Sequence, residues 1–259
     1  MISTWTLNHF SKIIYQKSII KQLIFTCRTL TRLLNLHVIS FLSDNNMKNM
    51  KLITMCATAL AFSACASQPK AETPAEALLA RLSEQISEKK IMFGHQDTYL
   101  YGHSWKVEAD QTEFNRSDVH DVIGQYPALY GMDLGGIELD SPLNIDKNDF
   151  NHMRASAIAH HERGGVITFS WHPMNPLTGG NTWDTSSTEV VASILPGGEK
   201  HEMFMGWLSK AADFLESIKD AEGNPIPMIF RPWHEHTRDF FWWGQNLSTT
   251  EQYIALWRM

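Results

Sequence analysis

One glutamate in the sequence has neighbours that suit acid–base chemistry. Glu235 lies between His234 and His236 and follows Arg231 by four residues. The aromatic residues that come after it are Phe240, Phe241, Trp242 and Trp243. Burial among such side chains would raise the pKa of the Glu235 carboxyl, as a general acid requires, whereas Arg231 would lower it. The residues leave open which effect wins, and a buried Arg231–Glu235 pair under an aromatic core is the alternative interpretation.

The aromatic residues also indicate a class of ligand. Sugar rings have apolar C–H faces that stack on aromatic side chains, while their hydroxyl groups need polar partners. Two long segments, Tyr99–Trp105 and Asn175–Lys200, would border an open cleft rather than a closed pocket. The first functional hypothesis is therefore a carbohydrate site with a proton donor, and the Trp242–Trp243 pair is assigned to the core.

Four short apolar runs lie directly before polar residues and would position them. The runs begin near residues 91, 128, 166 and 227. The first ends at His95, the second at Asp133, the third before His172 and the fourth, Met228–Phe230, before Arg231. Such runs are typical of strands buried on both faces in a parallel sheet. Asp133, and Glu138 shortly after it, are predicted to be structural or hydrogen-bonding groups.

Helical segments separate these runs. We predict helices over Pro74–Lys89 with Thr73 as the cap, from about Asp149 to Arg163, around Met203–Asp220, and from Thr250 onwards. Strand followed by helix, four times, favours an α/β fold of the (β/α)8 barrel type, with a doubly wound sheet as the alternative. A barrel needs roughly 250 residues, so we predict that only the first four βα units are present, in a truncated chain.

Composition excludes several classes of partner. The net charge is −6, and residues 66–259 carry 15 Lys and Arg against 27 Asp and Glu. This acidic body argues against nucleic-acid binding through phosphates and is compatible with a neutral polysaccharide. No glycine-rich loop of the GxGxxG or GxxxxGK type is present, so nucleotide binding has no support. The cysteines are Cys27, Cys56 and Cys65, which leaves residues 66–259 without a disulfide or thiolate metal site.

Residues 47–65 have the pattern of an export signal. A basic start at Met47–Lys51 precedes the apolar run Leu52–Phe62, and Ser63-Ala64-Cys65 follows. The pattern resembles a bacterial lipoprotein signal in which Cys65 becomes lipidated, with an ordinary cleaved signal as the alternative. We therefore expect an exported lipoprotein held at the outer membrane through a lipid anchor on Cys65.

The remaining segments complete the predicted organisation. Residues 1–46 are predicted to be upstream sequence before a true start at Met47, with an unusually long leading region as the alternative. Residues 66–73 would be a tether, and residues 74–259 a partial catalytic domain.

Three motifs, in this order along the chain, resemble glycoside hydrolase family 26. They are Phe93-Gly94-His95-Gln96, Trp171-His172-Pro173-Met174-Asn175-Pro176, and Arg231-Pro232-Trp233-His234-Glu235 with Phe241-Trp242-Trp243-Gly244 after it. The resemblance runs from about residue 76 to residue 259 and is strongest to the lipoprotein mannanases of Bacteroides-type bacteria. It implies a (β/α)8 fold and, in most members of the family, endo-β-1,4-mannanase activity.

The resemblance also implies roles for individual residues. Glu235 matches the general acid/base, and His234 matches the histidine that helps position the catalytic groups. His172 and Trp183 resemble the pair that lines the subsite of the cleaved sugar, and Phe240 falls where many members have Trp. His95 and Trp105 complete the candidate substrate-binding residues. His95, His172, Trp105 and Trp183 could instead be packing residues.

The family mechanism is retaining hydrolysis by two carboxyl groups about 5–5.5 Å apart. The resemblance assigns the nucleophile to a glutamate after the seventh strand, beyond residue 259, so the segment alone is expected to be inactive. No cofactor and no metal are required. Three alternatives stay open: another specificity within the family (mixed-linkage β-glucan, β-1,3-xylan, or release of mannobiose from chain ends), a non-catalytic carbohydrate-binding lipoprotein, and a metalloenzyme using His95, His172, His234 and His236.

Overall fold

Four parallel strands organise residues 71–259, which are the residues that the computed structural model describes. The strands are β1 (Gly94–Gln96), β4 (Leu129–Asp133), β5 (Val166–Ser170) and β6 (Met228–Arg231). They pair in the order β1-β4-β5-β6, all parallel. Two short strands, β2 (Tyr101–Gly102) and β3 (Trp105–Lys106), form a separate antiparallel hairpin. The predictions for residues 1–70, including the lipidation of Cys65, lie outside the described residues.

The strand order decides between the two predicted architectures. Each strand of the main sheet is added next to its predecessor, on the same edge. A doubly wound sheet would reverse direction at a switch point, whereas a (β/α)8 barrel adds strands in one direction. The described residues therefore form four βα units of a (β/α)8 barrel, and the doubly wound alternative is wrong.

The helices lie between the strands, largely where capping residues predict them. They are α1 (Pro74–Ser87), α2 (Asp118–Ile123), α3 (Phe150–Glu162), α4 (Val190–Ile194), α5 (His201–Glu216) and α6 (Thr250–Arg258). Thr73 and Thr249 each form a capping box, and the Asp149 side chain accepts from two backbone N–H groups. Helix α5 begins two residues before the predicted start and ends four before the predicted end. No helix within residues 71–259 has the length and apolar character to cross a membrane.

Two predicted strands are less buried than the sequence suggests. The first ladder lies at Gly94–Gln96 rather than at the apolar residues before it, and Ile91 and Phe93 are 96% and 60% exposed. Met228–Phe230 is only half-buried. Both strands have one neighbour in the main sheet, whereas β5, with two, has Val166, Ile167, Phe169 and Ser170 buried. Burial of an apolar strand thus depends on its neighbours and not on its own composition.

An aromatic core lies beneath the carboxyl ends of β5 and β6. Trp171 and Phe204 are stacked with ring centroids 5.9 Å apart, and Trp233 packs against Trp242 at 5.6 Å. Trp242 and Trp243 are both fully buried, which confirms their assignment to the core. This layer supports the loops that carry the candidate site.

Candidate active site

The register of the sheet brings three polar residues side by side at the carboxyl ends of the strands. Asp133 pairs with Ser170 across β4 and β5, and Ser170 pairs with Arg231 across β5 and β6. A cavity of about 460 Å³ opens at this edge. Its lining residues are Gln96, Asp133, Ile145, Asp146, Ser170, His172, Trp183, Arg231, His234 and Glu235. Functional groups of barrel proteins lie at this end of the sheet.

A chain of hydrogen bonds runs from the buried end of the cavity towards the Glu235 loop. His172 Nδ1 lies 2.7 Å from Asp133 Oδ2, and His172 Nε2 lies 3.1 Å from His234 Nε2. The two imidazole rings meet edge to face, with centroids 4.5 Å apart. Trp183, 53% exposed, stacks on the outer side of His172 at 6.0 Å. The arrangement offers an aromatic surface next to polar ring nitrogens.

The charges of this chain follow from burial and hydrogen bonding. Burial by itself would raise the pKa of Asp133, but hydrogen bonds from His172, Ser170 and the Gly135 N–H outweigh it, so the pKa is lowered. Burial, with His172 and Arg231 nearby, lowers the pKa of His234 to about 4. At neutral pH the chain therefore begins with a carboxylate and ends with a neutral imidazole.

The loop that carries Glu235 has an unusual backbone. Trp233 and Glu235 have positive φ angles of 53° and 56°, a region that non-glycine residues seldom occupy. Two side chains hold the strained segment from below: Trp243 Nε1 donates to the His234 carbonyl at 2.7 Å, and the Tyr253 hydroxyl donates to the Trp233 carbonyl at 2.6 Å. Such strain persists only where surrounding contacts enforce it, and it is concentrated at functional sites.

Glu138 has the structural role predicted for it. Its buried carboxylate accepts from the Trp171 indole N–H at 3.1 Å, from the Met174 backbone N–H at 3.0 Å and from the Gly136 backbone N–H at 3.0 Å. These bonds fasten the loop after β5, and so fix where His172 stands. Asp133 likewise forms the hydrogen bonds predicted for it.

Four of the predicted site residues come together, and three do not. Glu235, His172, Trp183 and His234 all line the cavity. His95, Trp105 and Phe240 are not among its lining residues.

Each of these three residues has another environment. His95 is half-buried on β1, Trp105 donates its indole N–H to Asp118 at 2.6 Å, and Phe240 is 52% exposed beside Phe241. Their assignment to substrate binding stays a prediction.

The environment of Glu235 differs from the one expected. Glu235 and Arg231 are both exposed, and no ion pair joins them within residues 71–259. The buried Arg231–Glu235 pair is therefore wrong, and so is the burial of the Glu235 carboxyl by the aromatic residues after it. Of those aromatic residues, Phe241, Trp242 and Trp243 are buried in the core, and Phe240 is 52% exposed.

Sequence reasoning missed several cavity residues. Gln96 and Ser170 are the last residues of their strands, and that position in a parallel sheet is the signal that could have identified them. Asp146 lies in the loop after β4 and had no such signal. Asp97, directly after β1, is fully buried, and the charge of Asp146 is close enough to raise the pKa of Asp97.

The four histidines of the metalloenzyme hypothesis do not form one cluster. His172 and His234 line the cavity, but His236 stacks on Tyr253 with centroids 3.6 Å apart, and His95 is not among the lining residues. Within the described part of the chain, no group of three or more His, Cys, Asp or Glu side chains could hold a metal ion.

Taken together, the one-directional parallel sheet and the cavity at the carboxyl ends of its strands define a protein of the (β/α)8-barrel class. The chain belongs to glycosyl hydrolase family 26, because the model of that family matches residues 67–259.

Named relatives and a solved structure agree with this membership. A mannan endo-1,4-beta-mannosidase of Bifidobacterium adolescentis is 35% identical over 153 residues, which cover 56% of this chain and 15% of the relative. One of Bacillus subtilis is 32% identical over 160 residues, covering 61% and 41%. The structure of a GH26 beta-mannanase from Bacteroides ovatus matches at a TM-score of 0.67 with 46% identity, over 72% of this chain and 53% of that one. The chain thus spans about half, or less, of the length of these relatives.

Proposed function

We propose that the protein is a retaining endo-acting glycoside hydrolase that cleaves β-1,4-mannosidic bonds in mannan, galactomannan or glucomannan. The observation that carries this proposal is the position of Glu235 on a strained strand-end loop, in one cavity with His172, Trp183 and His234. Two relatives of the same family are named mannan endo-1,4-beta-mannosidases, which supports mannan as the substrate class.

In the proposed mechanism, Glu235 protonates the leaving oxygen and then deprotonates the attacking water. Its exposed position gives the carboxyl access to the glycosidic bond of a polymer in the cleft. Trp183 offers its ring as a stacking surface, and His172 and His234 offer nitrogen atoms to sugar hydroxyls. Because burial lowers the pKa of His234 to about 4, this histidine is neutral at working pH and adds no positive charge beside Glu235.

A retaining reaction also needs a nucleophilic carboxylate about 5–5.5 Å from the acid. Asp133 is a poor candidate, because its two oxygens together accept four hydrogen bonds and it is buried. The family pattern assigns the nucleophile to a glutamate after the seventh strand, and the main sheet formed by residues 71–259 holds four strands. Residues 71–259 would therefore contribute the acid/base half of the site.

The endo mode of action can be measured on the full-length protein, with the nucleophile present. With soluble galactomannan, we expect viscosity to fall steeply while few reducing ends have formed, because an open cleft accepts the middle of a chain. Carob galactomannan, mixed-linkage β-glucan and β-1,3-xylan are assayed side by side. Release of mannobiose alone from chain ends would contradict the endo mode, and cleavage of a glucan or xylan instead would contradict the substrate. Binding of mannan without cleavage would support the carbohydrate-binding alternative.

We also propose export and a lipid anchor on Cys65, supported by the basic, apolar and small-residue pattern of residues 47–65. Two acyl chains give the stable membrane binding that one chain does not. In the native host, Cys65→Ala is expected to move the protein from the outer-membrane fraction to the soluble fraction. Cys56→Ala, within the apolar run, is the matched control and should leave the fractionation as it is. Equal membrane association of both variants would contradict a lipid on Cys65.

A further inference from the structure

We propose that Asp133 is a positioning residue that acts through His172 on His234, and that it determines which ring nitrogen of each histidine carries the proton. The proposal deepens the proposed function, on which its catalytic meaning rests. The three residues come from three different strand ends, and 39 and 62 residues of sequence separate the hydrogen-bonded partners.

Asp133 is held in one orientation by partners of known polarity. Its Oδ1 accepts from two backbone N–H groups, those of Gly135 at 2.7 Å and His172 at 3.2 Å. Its Oδ2 accepts from the Ser170 hydroxyl at 2.6 Å and lies 2.7 Å from His172 Nδ1. Asp133 is 2% exposed. The carboxylate cannot rotate without losing all four bonds.

This orientation dictates where the protons are. A carboxylate oxygen only accepts, so His172 carries a hydrogen on Nδ1. In neutral His172, Nε2 is then an acceptor, and the 3.1 Å contact requires His234 to donate from Nε2. His234 Nδ1 is left without a hydrogen, and this buried atom has no hydrogen-bond partner among the described residues. Charged groups that face this pair are Asp133, Asp146 and Arg231.

The arrangement matters for Glu235, the next residue after His234. The His234 carbonyl is anchored by Trp243, and its ring by His172, so the residue before the acid is held at both ends. A ring proton placed on Nε2 fixes the ring through a hydrogen bond. A ring with its proton on Nδ1 would require His172 to donate instead, which a neutral His172 bound to a carboxylate cannot do. Asp133 thus sets the state of a histidine that it does not touch.

The Asp133→Asn variant tests whether Asp133 sets the proton positions on the two histidines or only holds the loop in place. The two partners of Oδ1 are backbone N–H groups, which can only donate, so the amide oxygen must stay at that position. The amide NH₂ is therefore forced to the position of Oδ2, where the Ser170 hydroxyl can turn to accept. His172 Nδ1 must also become an acceptor, which moves its proton to Nε2. That proton then points at His234 Nε2, so the proton of His234 moves to Nδ1.

The test is proton-detected ¹⁵N NMR of the histidines in the full chain, assigned with His172→Asn and His234→Asn. We expect the Nδ1–H form of His172 and the Nε2–H form of His234, and the reverse of both in Asp133→Asn. Ser170→Ala is the matched control: it removes another hydrogen bond to the same oxygen, and both forms should stay as in the unmodified chain.

Two results would overturn the proposal. An Nε2–H form of His172 in the unmodified chain would do so by itself, whatever the folding of the variant. A folded Asp133→Asn with unchanged histidine forms would do so as well.

Activity of the intact protein on mannan provides a separate measurement. Asp133→Asn is expected to lower kcat by roughly 10–100-fold, with KM less affected, as when the hydrogen-bond partner that orients a metal-binding histidine is removed. If kcat were unchanged although the protons of both histidines had moved, the claim that Asp133 affects catalysis through His172 and His234 would be wrong. Absence of activity in the unmodified full-length protein, with the nucleophile present, would count against the proposed function and leave the NMR result standing.

Discussion

Glu235→Gln is expected to lower kcat on β-mannan by roughly 10²–10⁴-fold, the range that general acid–base assistance contributes. The amide has the shape of the carboxyl but no acidic proton, so the leaving oxygen departs unprotonated. Glu235 is exposed and has no ion pair within the described residues. The substitution should therefore leave stability and substrate binding nearly unchanged.

The leaving group provides the discriminating measurement. Aryl mannosides with good leaving groups need little protonation, so the glycosylation step of Glu235→Gln should be impaired far less on them than on the polymer. Glu222→Gln makes the same chemical change on an exposed turn and should behave like the unmodified protein. If the glycosylation rate fell equally on aryl mannosides and on mannan, Glu235 would not be the general acid.

Asp97→Asn is expected to produce the largest change in stability, and the change should depend on pH. Burial, together with the nearby charge of Asp146, raises the pKa of Asp97 from 3.8 to about 7. One of its carboxyl oxygens, Oδ1, is buried with no hydrogen-bond partner in the described part of the chain. Asparagine is neutral, and it tolerates the positive φ of 50° at this position better than most residues.

The sign follows from proton binding. Between pH 4 and pH 7 the folded chain keeps a proton on Asp97 that the unfolded chain has lost, so the free energy of unfolding falls as pH rises through this window. One unit of pKa corresponds to about 1.4 kcal/mol, so the stability gained by Asp97→Asn should be greater at pH 8 than at pH 4 by up to about 4 kcal/mol.

Urea unfolding of both chains across this pH range measures the effect. Burial lowers the pKa values of His160 and His234 to about 4, so these two histidines make the free energy of unfolding rise with pH below pH 6.5. Their contribution is the same in both proteins. The informative quantity is therefore the difference in unfolding free energy between Asp97→Asn and the unmodified protein. Asp110→Asn, at an exposed loop residue, is the matched control and should show no such slope. If the difference in unfolding free energy between Asp97→Asn and the unmodified protein did not change with pH, Asp97 would be ionised in the folded protein at neutral pH.

Local features of this protein could be predicted from the sequence. Thr73, Asp149 and Thr249 begin helices, because their side chains accept hydrogen bonds from backbone groups only a few residues away. The strand at Val166–Ser170 lies where its apolar run predicts. Glu235 could be singled out in the same way, since the motif that contains it is contiguous.

Tertiary structure alone decided how the site is assembled. The contact between His172 and His234, and the alignment of Asp133 with Ser170, depend on the register of parallel strands far apart in the chain. Burial also depends on packing between distant segments. For this reason Glu235 is exposed although aromatic residues follow it, and Asp97, which no sequence pattern marked, is buried. Hydrogen bonds of caps and turns are local, whereas desolvation and side-chain contacts are set by whichever segments the fold brings together.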